Sequence, residues 1–343
     1  MDPVTHALLG AAAARVAVAR PLGRAAWLPG AVGALLPDAD ALIRSQADPL
    51  LYAEYHRHFT HALLFVPAGG AIAALPWLLS PRTRRRWAWF LAAATIGYAT
   101  HGPLDASTTY GTLLLWPFSS ERIAWNAIAI VDPLFTLVLL AGVGWAAWRR
   151  SVRPAAAALL ACAVYLGMGV VQRDRAMHAQ AWIAAARGHA VTRGAVFPGF
   201  GTNMVWRSLY LSGETFYMDR IRVSWTGAAT WRPGSQVNRL RAPEAATPWA
   251  VDARLTRDFW RFHWFADGWV ARAPADPEVI GDARYSSSLE RFEPVWGIRL
   301  ADDGAPAPLA CVDRSRERRV DVRALWDELR GNDGSLRPLP GRR

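Results

Sequence analysis

The chain has 343 residues, 52% of them hydrophobic, a net charge of +11 and two cysteines. That length favours more than one domain. The positive charge comes from arginine alone, since the sequence contains no lysine. The arginines stand at the ends of apolar runs or scattered through the second half, a pattern that argues for membrane topology and against a nucleic-acid groove. Cys162 sits in an apolar run and Cys311 in a mixed one, so the chain has no disulfide framework.

Hydropathy divides the chain unequally. Residues 1–175 hold the long apolar runs, residues 176–330 read as a soluble domain, and residues 331–343 read as a loose tail. Six apolar segments are marked, at 4–19, 27–43, 61–79, 87–101, 127–148 and 154–172. The fifth and sixth, with the third, approach the ~20 residues that span a bilayer. The first, second and fourth are short and end in polar groups, which suits segments whose polar ends line a protein cavity. The predicted fold is thus an α-helical membrane bundle of about five or six helices, followed by a β-rich α+β soluble domain.

In chain order, Asp2-Pro3 reads as an N-cap and first helical position, which puts His6 in the first turn. The second segment ends at Pro37, before Asp38-Ala39-Asp40. Thr60 reads as the cap of a helix starting at His61, and the fourth segment runs into His101-Gly102-Pro103-Leu104-Asp105. Asp132 before Pro133 reads either as a helix cap or as a carboxylate supporting the site from outside. The loops after segments one, three and five carry Arg20 and Arg24, Arg82 with Arg84–Arg86, and Arg149, Arg150 and Arg153. The positive-inside rule makes that side cytoplasmic and the C-terminal domain extracytoplasmic. The expected location is a bacterial inner membrane, crossed several times. Further on, Met204–Leu211, Thr215–Trp225 and Trp260–Ala271 read as strands, residues 285–300 as two more, and residues 320–330 as a helix.

Polar residues converge on one face in this topology. Five of the eight histidines, His6, His56, His58, His61 and His101, fall in the first 101 residues, together with Asp38, Asp40 and Asp105. Taken singly each has an ordinary reading: an interfacial histidine, a turn after proline, a solvated His58. Together they form Asp-x-Asp, His-x-x-x-x-His and His-x-x-x-Asp on a single side. Ionisable groups at membrane depth are costly, ~2.5–3.5 kcal/mol each at a helix centre, and several carboxylates repel one another. A divalent cation offsets both effects, and imidazole with carboxylate donors suits zinc, with manganese or iron as alternatives. The expected ligands are His6, Asp38, Asp40, His56, His61, His101 and Asp105. Asp38 or Asp40 is the candidate general base where it is not a ligand. His101 and Asp105 share a helix face at i, i+4, provided that Pro103 does not break the helix. No Walker loop, His-Glu-x-x-His, Gly-x-Gly-x-x-Gly or Gly-x-Ser-x-Gly turn is present.

At these residues the sequence resembles the YdjM-type family of membrane-bound metal-dependent hydrolases. The matching pieces are Met1–Gly10, Leu36-Pro37-Asp38-Ala39-Asp40, His56–His61, His101 with Asp105, and Thr109-Tyr110-Gly111-Thr112. Trp206-Arg207, Trp264-Phe265 and Asp282-Ala283-Arg284-Tyr285 echo the family's longer form. The family is in turn distantly similar to the zinc-dependent phospholipase C and P1 nuclease group. That likeness implies His6, Asp38 or Asp40, His56 or His61, His101 and Asp105 as ligands, around one or two zinc ions. The expected activity is hydrolysis of a phosphoester or lipid-like bond at the outer membrane face, on a membrane lipid or lipid-linked substrate, with Arg57 or Arg122 for a phosphate. No nucleic-acid partner is expected. The alternative is a membrane scaffold or sensor with a structural metal.

Overall fold

The computed structural model describes residues 1–242, 252–300, 309–314, 326–327, 329–330 and 334–339. It forms two compact units, one of Met1–Ile43 with Tyr55–Val170, the other of Arg44–Glu54 with Val171–Arg343. Eight α-helices come first: α1 (Pro3–Ala17), α2 (Ala19–Leu22), α3 (Trp27–Leu35), α4 (Leu51–Tyr55), α5 (Val66–Leu79), α6 (Trp87–Ala106), α7 (Pro133–Arg149) and α8 (Arg153–Ala186). The expected five or six become eight because α2 and α4 are short pieces inside loops.

The caps follow the sequence. Asp2 Oδ1 accepts from the Thr5 N–H at 3.0 Å with Pro3 opening α1, and Asp132 caps α7 by accepting from the Phe135 N–H at 3.0 Å. Asp132 also accepts from the Tyr165 hydroxyl at 2.8 Å, so its two oxygens are used within the bundle. The α6 helix passes through Pro103 unbroken, because a proline near the end of a helix forfeits one backbone bond there and no more. Thr60 does not cap a helix. It lies in a 3₁₀ turn, Phe59–His61, and α5 starts only at Val66.

Where α1, α3 and α6 meet, the first unit packs small residues, while a second cluster buries Leu104, Ile128, Phe135 and Leu139. A Cβ on Gly97 would lie 2.0 Å from the Gly30 carbonyl oxygen, and one on Gly33 would lie 2.1 Å from that of Ala94. The backbones of α3 and α6 therefore touch, with α1 joining them through Gly10 and Ala14. Outside, Leu28, Ile72, Leu79, Trp87, Leu137, Trp145, Trp148, Leu160 and Val164 are exposed. Close helix contacts through small residues and an apolar exterior are both features found in helices packed in lipid. By length and composition one helix, α8, is long and apolar enough to cross a membrane, or two if the bent pair Leu51–His61 and Leu63–Leu79 counts as one span.

The second unit holds nine strands among the described residues, in two antiparallel sheets. The first has the order β1 (Val191–Pro198), β2 (Val205–Ser212), β3 (Thr215–Arg222), β4 (Thr230–Asn238) and β9 (Arg337–Pro338). The second has the order β5 (Val270–Ala273), β6 (Asp276–Asp282), β7 (Trp296–Leu300) and β8 (Leu309–Asp313). Alternation along β2 serves two cores. Leu209 and Leu211 pack with Phe197, Phe216, Met218, Trp269 and Phe292. Trp206 packs with Ile221, Val223 and the Ala176, Ala179 and Ile183 face of α8.

Two strand expectations at 204–225 are met by β2 and β3. Of the two strands expected at 285–300 there is β7, preceded by a loop with an isolated Ser286–Pro294 bridge. The run Trp260–Ala271 is corrected. Its first half belongs to α9 (Ala253–Phe265), capped by Asp252, which buries Leu255, Phe259, Phe262 and Phe265 along one face; its second half enters β5. Helical spacing of those four residues outweighs the aromatic richness that suggested a strand. The helix expected at 320–330 lies mostly outside the described residues. In the expected tail, Arg337 and Pro338 pair with Trp231 and Thr230.

Candidate metal centre

Five chain segments meet at one end of the helical unit. The α1 helix brings His6, and α6 brings His101 and Asp105 one turn apart. A 3₁₀ turn, Leu36–Leu42, opened by Pro37, carries Asp38 and Asp40. The turn after α4 brings His56 and Arg57, and the 3₁₀ turn that follows brings His61. His6, Asp40, His61, His101 and Asp105 are all buried, and the Asp38 side chain is 29% exposed. The site thus opens toward solvent on the side of Asp38.

Asp38, His61, His101 and Asp105 offer ligand atoms that all lie within 4.8 Å of one another. Asp38 Oδ1 is 3.4 Å from His101 Nε2 and 3.7 Å from His61 Nε2. Asp105 Oδ2 is 3.5 Å and 3.4 Å from the same two nitrogens. The two Nε2 atoms are 3.0 Å apart.

The far sides of these rings fix their protons. His101 Nδ1 lies 2.5 Å from the Ala34 carbonyl oxygen, which only accepts, so Nδ1 carries the hydrogen. His61 Nδ1 faces Asp40 Oδ2 at 3.3 Å and Thr60 Oγ1 at 3.0 Å, while the Thr60 hydroxyl donates to Asp40 at 2.8 Å. That chain of bonds makes His61 Nδ1 the donor as well. Both neutral rings then aim Nε2 lone pairs at each other across 3.0 Å, with two carboxylates beside them. A cation between them relieves this arrangement, as does a proton on one Nε2 shared with the other ring and the carboxylates.

Asp40 binds four partners: His56 Nδ1 at 2.8 Å, the Arg57 N–H at 2.9 Å, the Thr60 hydroxyl and His61. A second group of close donors, Asp38, Asp40 and His56, shares Asp38 with the first. His6 stands outside both groups. Its Nε2 is 3.2 Å from Asp105 Oδ1, and its ring stacks on His101 at 3.7 Å. The Met1 amino group also meets Asp105 Oδ1. His58 is turned away, beside Tyr55, Phe59 and Trp116.

Of Arg57 and Arg122, one of which was expected to meet a phosphate, Arg57 is engaged within the site. Arg57 is buried, with Nε 3.1 Å from Asp105 Oδ2 and Nη1 donating to Thr108 at 3.2 Å. Its backbone is left-handed, at φ 63°, in a region costly for a side chain of this size. Arg122 donates to the His56 carbonyl at 3.1 Å.

Three supports escaped the sequence reading. Thr60 bridges Asp40 and His61, the Ala34 carbonyl orients His101, and the Tyr98 hydroxyl donates to the Thr60 carbonyl at 2.6 Å. Gly102 is a fourth: a Cβ there would stand 2.4 Å from the His61 carbonyl oxygen, so only glycine lets the His61 turn lie against α6. In the second unit, the residues that echo the family's longer form are mutual partners. Arg284 pairs with Asp282 at 2.6 Å and donates to the Phe265 carbonyl at 2.8 Å, and Arg207 donates to the Ala283 carbonyl.

Asp40→Asn is expected to keep the metal but weaken its binding about 10- to 100-fold, the usual effect of losing a carboxylate behind a ligating histidine. A titration with a competing chelator measures this, and unchanged affinity would contradict the role given to Asp40.

The profile of the YdjM inner membrane protein family matches residues 1–176, which include every residue of the site. The chain is also similar to the uncharacterized protein YfhP of Bacillus subtilis (strain 168), 27% identical over 164 residues, 45% of this chain and 48% of the relative. The match thus spans about half the length of that curated relative. No solved structure matches the chain. With its site lying wholly inside the matched region, the chain belongs to the YdjM inner membrane protein family.

Proposed function

We propose that this protein is a metal-dependent hydrolase of the bacterial inner membrane, acting on a phosphoester or lipid-like bond at the outer face. The observation that carries the proposal is the pair of Nε2 atoms 3.0 Å apart, each ring protonated on its far side, facing two carboxylates. Asp38, His61, His101 and Asp105 would hold the ion, the nitrogen and oxygen donor set that zinc takes. This is narrower than the seven ligands expected from sequence. Asp40 orients His61 and His56, and His6 backs Asp105 and His101. A second ion would use Asp38, Asp40 and His56.

Bound there, a divalent ion supplies Lewis-acid polarisation and brings the pKa of water toward neutrality. The protein's own groups do the rest. Where Asp38 is not itself a ligand, this partly open carboxylate is placed to take a proton from the attacking water. Arg57 holds Asp105 in place and offsets part of the carboxylate charge. With Asp38 as base, His61, His101 and Asp105 are the three protein ligands that a catalytic site uses with water in the fourth position, whereas all four as ligands would make a structural site.

The arginine clusters at the opposite loops support an extracytoplasmic site, and the apolar exterior of the first unit supports more than one crossing. The test is a panel of phosphoester, lipid and amide substrates assayed with protein in detergent, metal-loaded and after chelation. Hydrolysis that chelator abolishes and zinc or manganese restores is expected. Full metal occupancy with no turnover on any substrate would favour the scaffold.

A further inference from the structure

Between Asp40 and His56 the chain leaves one unit and returns to it. Residues Arg44–Glu54 belong to the sheet-rich unit, while Ile43 and Tyr55 on either side belong to the helical one. One side chain, four-fifths buried, holds this excursion. Arg261 of α9 donates to both oxygens of Asp48, at 2.9 and 2.8 Å, and to both oxygens of Glu54, at 2.5 and 2.9 Å. Asp258, one turn earlier on α9, adds a fifth bond at 3.1 Å. Leu50 is buried within the excursion, and the Cys311 thiol donates to the Pro49 carbonyl at 3.5 Å.

A guanidinium gripped by two carboxylates at once is a rigid planar clamp, which an ammonium cannot reproduce. Without it, Asp48, Glu54 and Asp258 would lose the cation they share, leaving the exposed Arg257, 3.9 Å from Asp258, as the neighbouring charge. The clamp also resists acid. Hydrogen bonds from Arg261 hold the Asp48 carboxyl below its usual range, so this contribution is complete above the unfolded value of about 3.9 and is lost only as pH falls through the lower folded one.

Of the two clamped residues, Glu54 closes the excursion and Asp48 lies near its middle. Glu54 is two residues before His56, and Asp48 follows the turn that carries Asp38 and Asp40. We infer that Arg261 is a positioning residue for the metal centre, fixing the span between the Asp38–Asp40 turn and the His56–His61 turn from outside the site. This rests on the metal-site reading above. It gives the C-terminal unit a role in building the centre, through a side chain that touches neither metal nor substrate.

The test uses the full chain in detergent, titrated with cobalt(II), whose visible spectrum reports ligand geometry. Wild type, Arg261→Gln, Arg261→Lys, Asp48→Asn/Glu54→Gln and the triple variant are compared, with His101→Ala as the variant lacking a ligand. Arg261→Gln is expected to weaken cobalt binding about tenfold, the low end for an outer partner of a metal site, and to shift the spectrum. Arg261→Lys should fall between it and wild type. The carboxylate pair should lose as much as Arg261→Gln, with no further loss in the triple variant. Wild-type affinity and spectrum in Arg261→Gln would overturn the inference and leave the metal site standing. Absence of cobalt binding by wild type would overturn both. Should Arg261→Gln fail to fold, Glu54→Gln, which opens one of the two forks, carries the test: a weakened, shifted spectrum supports the clamp, and an unchanged one overturns it.

Discussion

Purified His101→Ala is expected to lose the ion held between the two Nε2 atoms and with it the metal-dependent hydrolysis, while remaining folded. The ring supplies one of two converging Nε2 atoms, and no other described side chain replaces it at that point. Its loss also strands the Ala34 carbonyl, at a cost of about 1–3 kcal/mol for an unpaired buried acceptor. Asp105→Ala should match it in metal loss but exceed it in destabilisation. Removing Asp105 leaves the buried Arg57 guanidinium without its carboxylate, a situation that costs about 3–5 kcal/mol. Metal content by elemental analysis and thermal unfolding in detergent separate the two effects. Equal metal retention in wild type and both variants would remove these residues from the site.

Gly97→Val should be as damaging without touching a ligand. The new Cβ would fall 2.0 Å from the Gly30 carbonyl oxygen, and a Cβ is fixed by the backbone, so no rotamer avoids the clash. The α3 and α6 helices would have to separate. Asp38 rides on the turn that follows α3, and His101 stands one turn beyond Gly97 on α6, so separation pulls the two donors apart. Overpacking of this kind costs about 1–3 kcal/mol or more, and metal occupancy should drop with it. Gly144, on α7, has nothing within 4 Å of its Cβ position, so Gly144→Ala is the matched control. It should unfold within about 1 kcal/mol of wild type, on the stable side. A Gly97→Val protein with wild-type melting and full metal content would refute the close packing of α3 and α6.

Much of this was legible in the sequence because it depends on local chemistry. Asp2-Pro3 and Asp132-Pro133 announce helix starts, and both helices begin there. His101 and Asp105 announce a shared helix face, and it forms through Pro103. The Asp-x-Asp and His-x-x-x-x-His patterns point to one site, and Asp38, Asp40, His56 and His61 do converge.

What stayed hidden depends on partners distant in the chain. Nothing local tells Asp38 from Asp40: one faces two Nε2 atoms because Asp40 is occupied by the Arg57 amide, Thr60 and His56. Arg57 looked available for a phosphate because its carboxylate, Asp105, is 48 positions away. The Ala34 carbonyl carries no side-chain signal at all. The α9 helix was misread because aromatic richness was weighed above the spacing of Leu255, Phe259 and Phe262. The docking of residues 44–54 onto the sheet-rich unit follows from Arg261, more than 200 positions later, and no window of sequence could show it.

X-ray absorption spectroscopy on the zinc-loaded, full-length protein tests the central claim most directly. An ion coordinated by two imidazoles and by carboxylate oxygens, with nitrogen and oxygen at about 2.0–2.2 Å and no sulfur neighbour, is the expected result. It should change to a single imidazole in any His61→Ala protein that still retains metal. A protein that binds no zinc under excess, or a spectrum without imidazole scattering, would contradict the account.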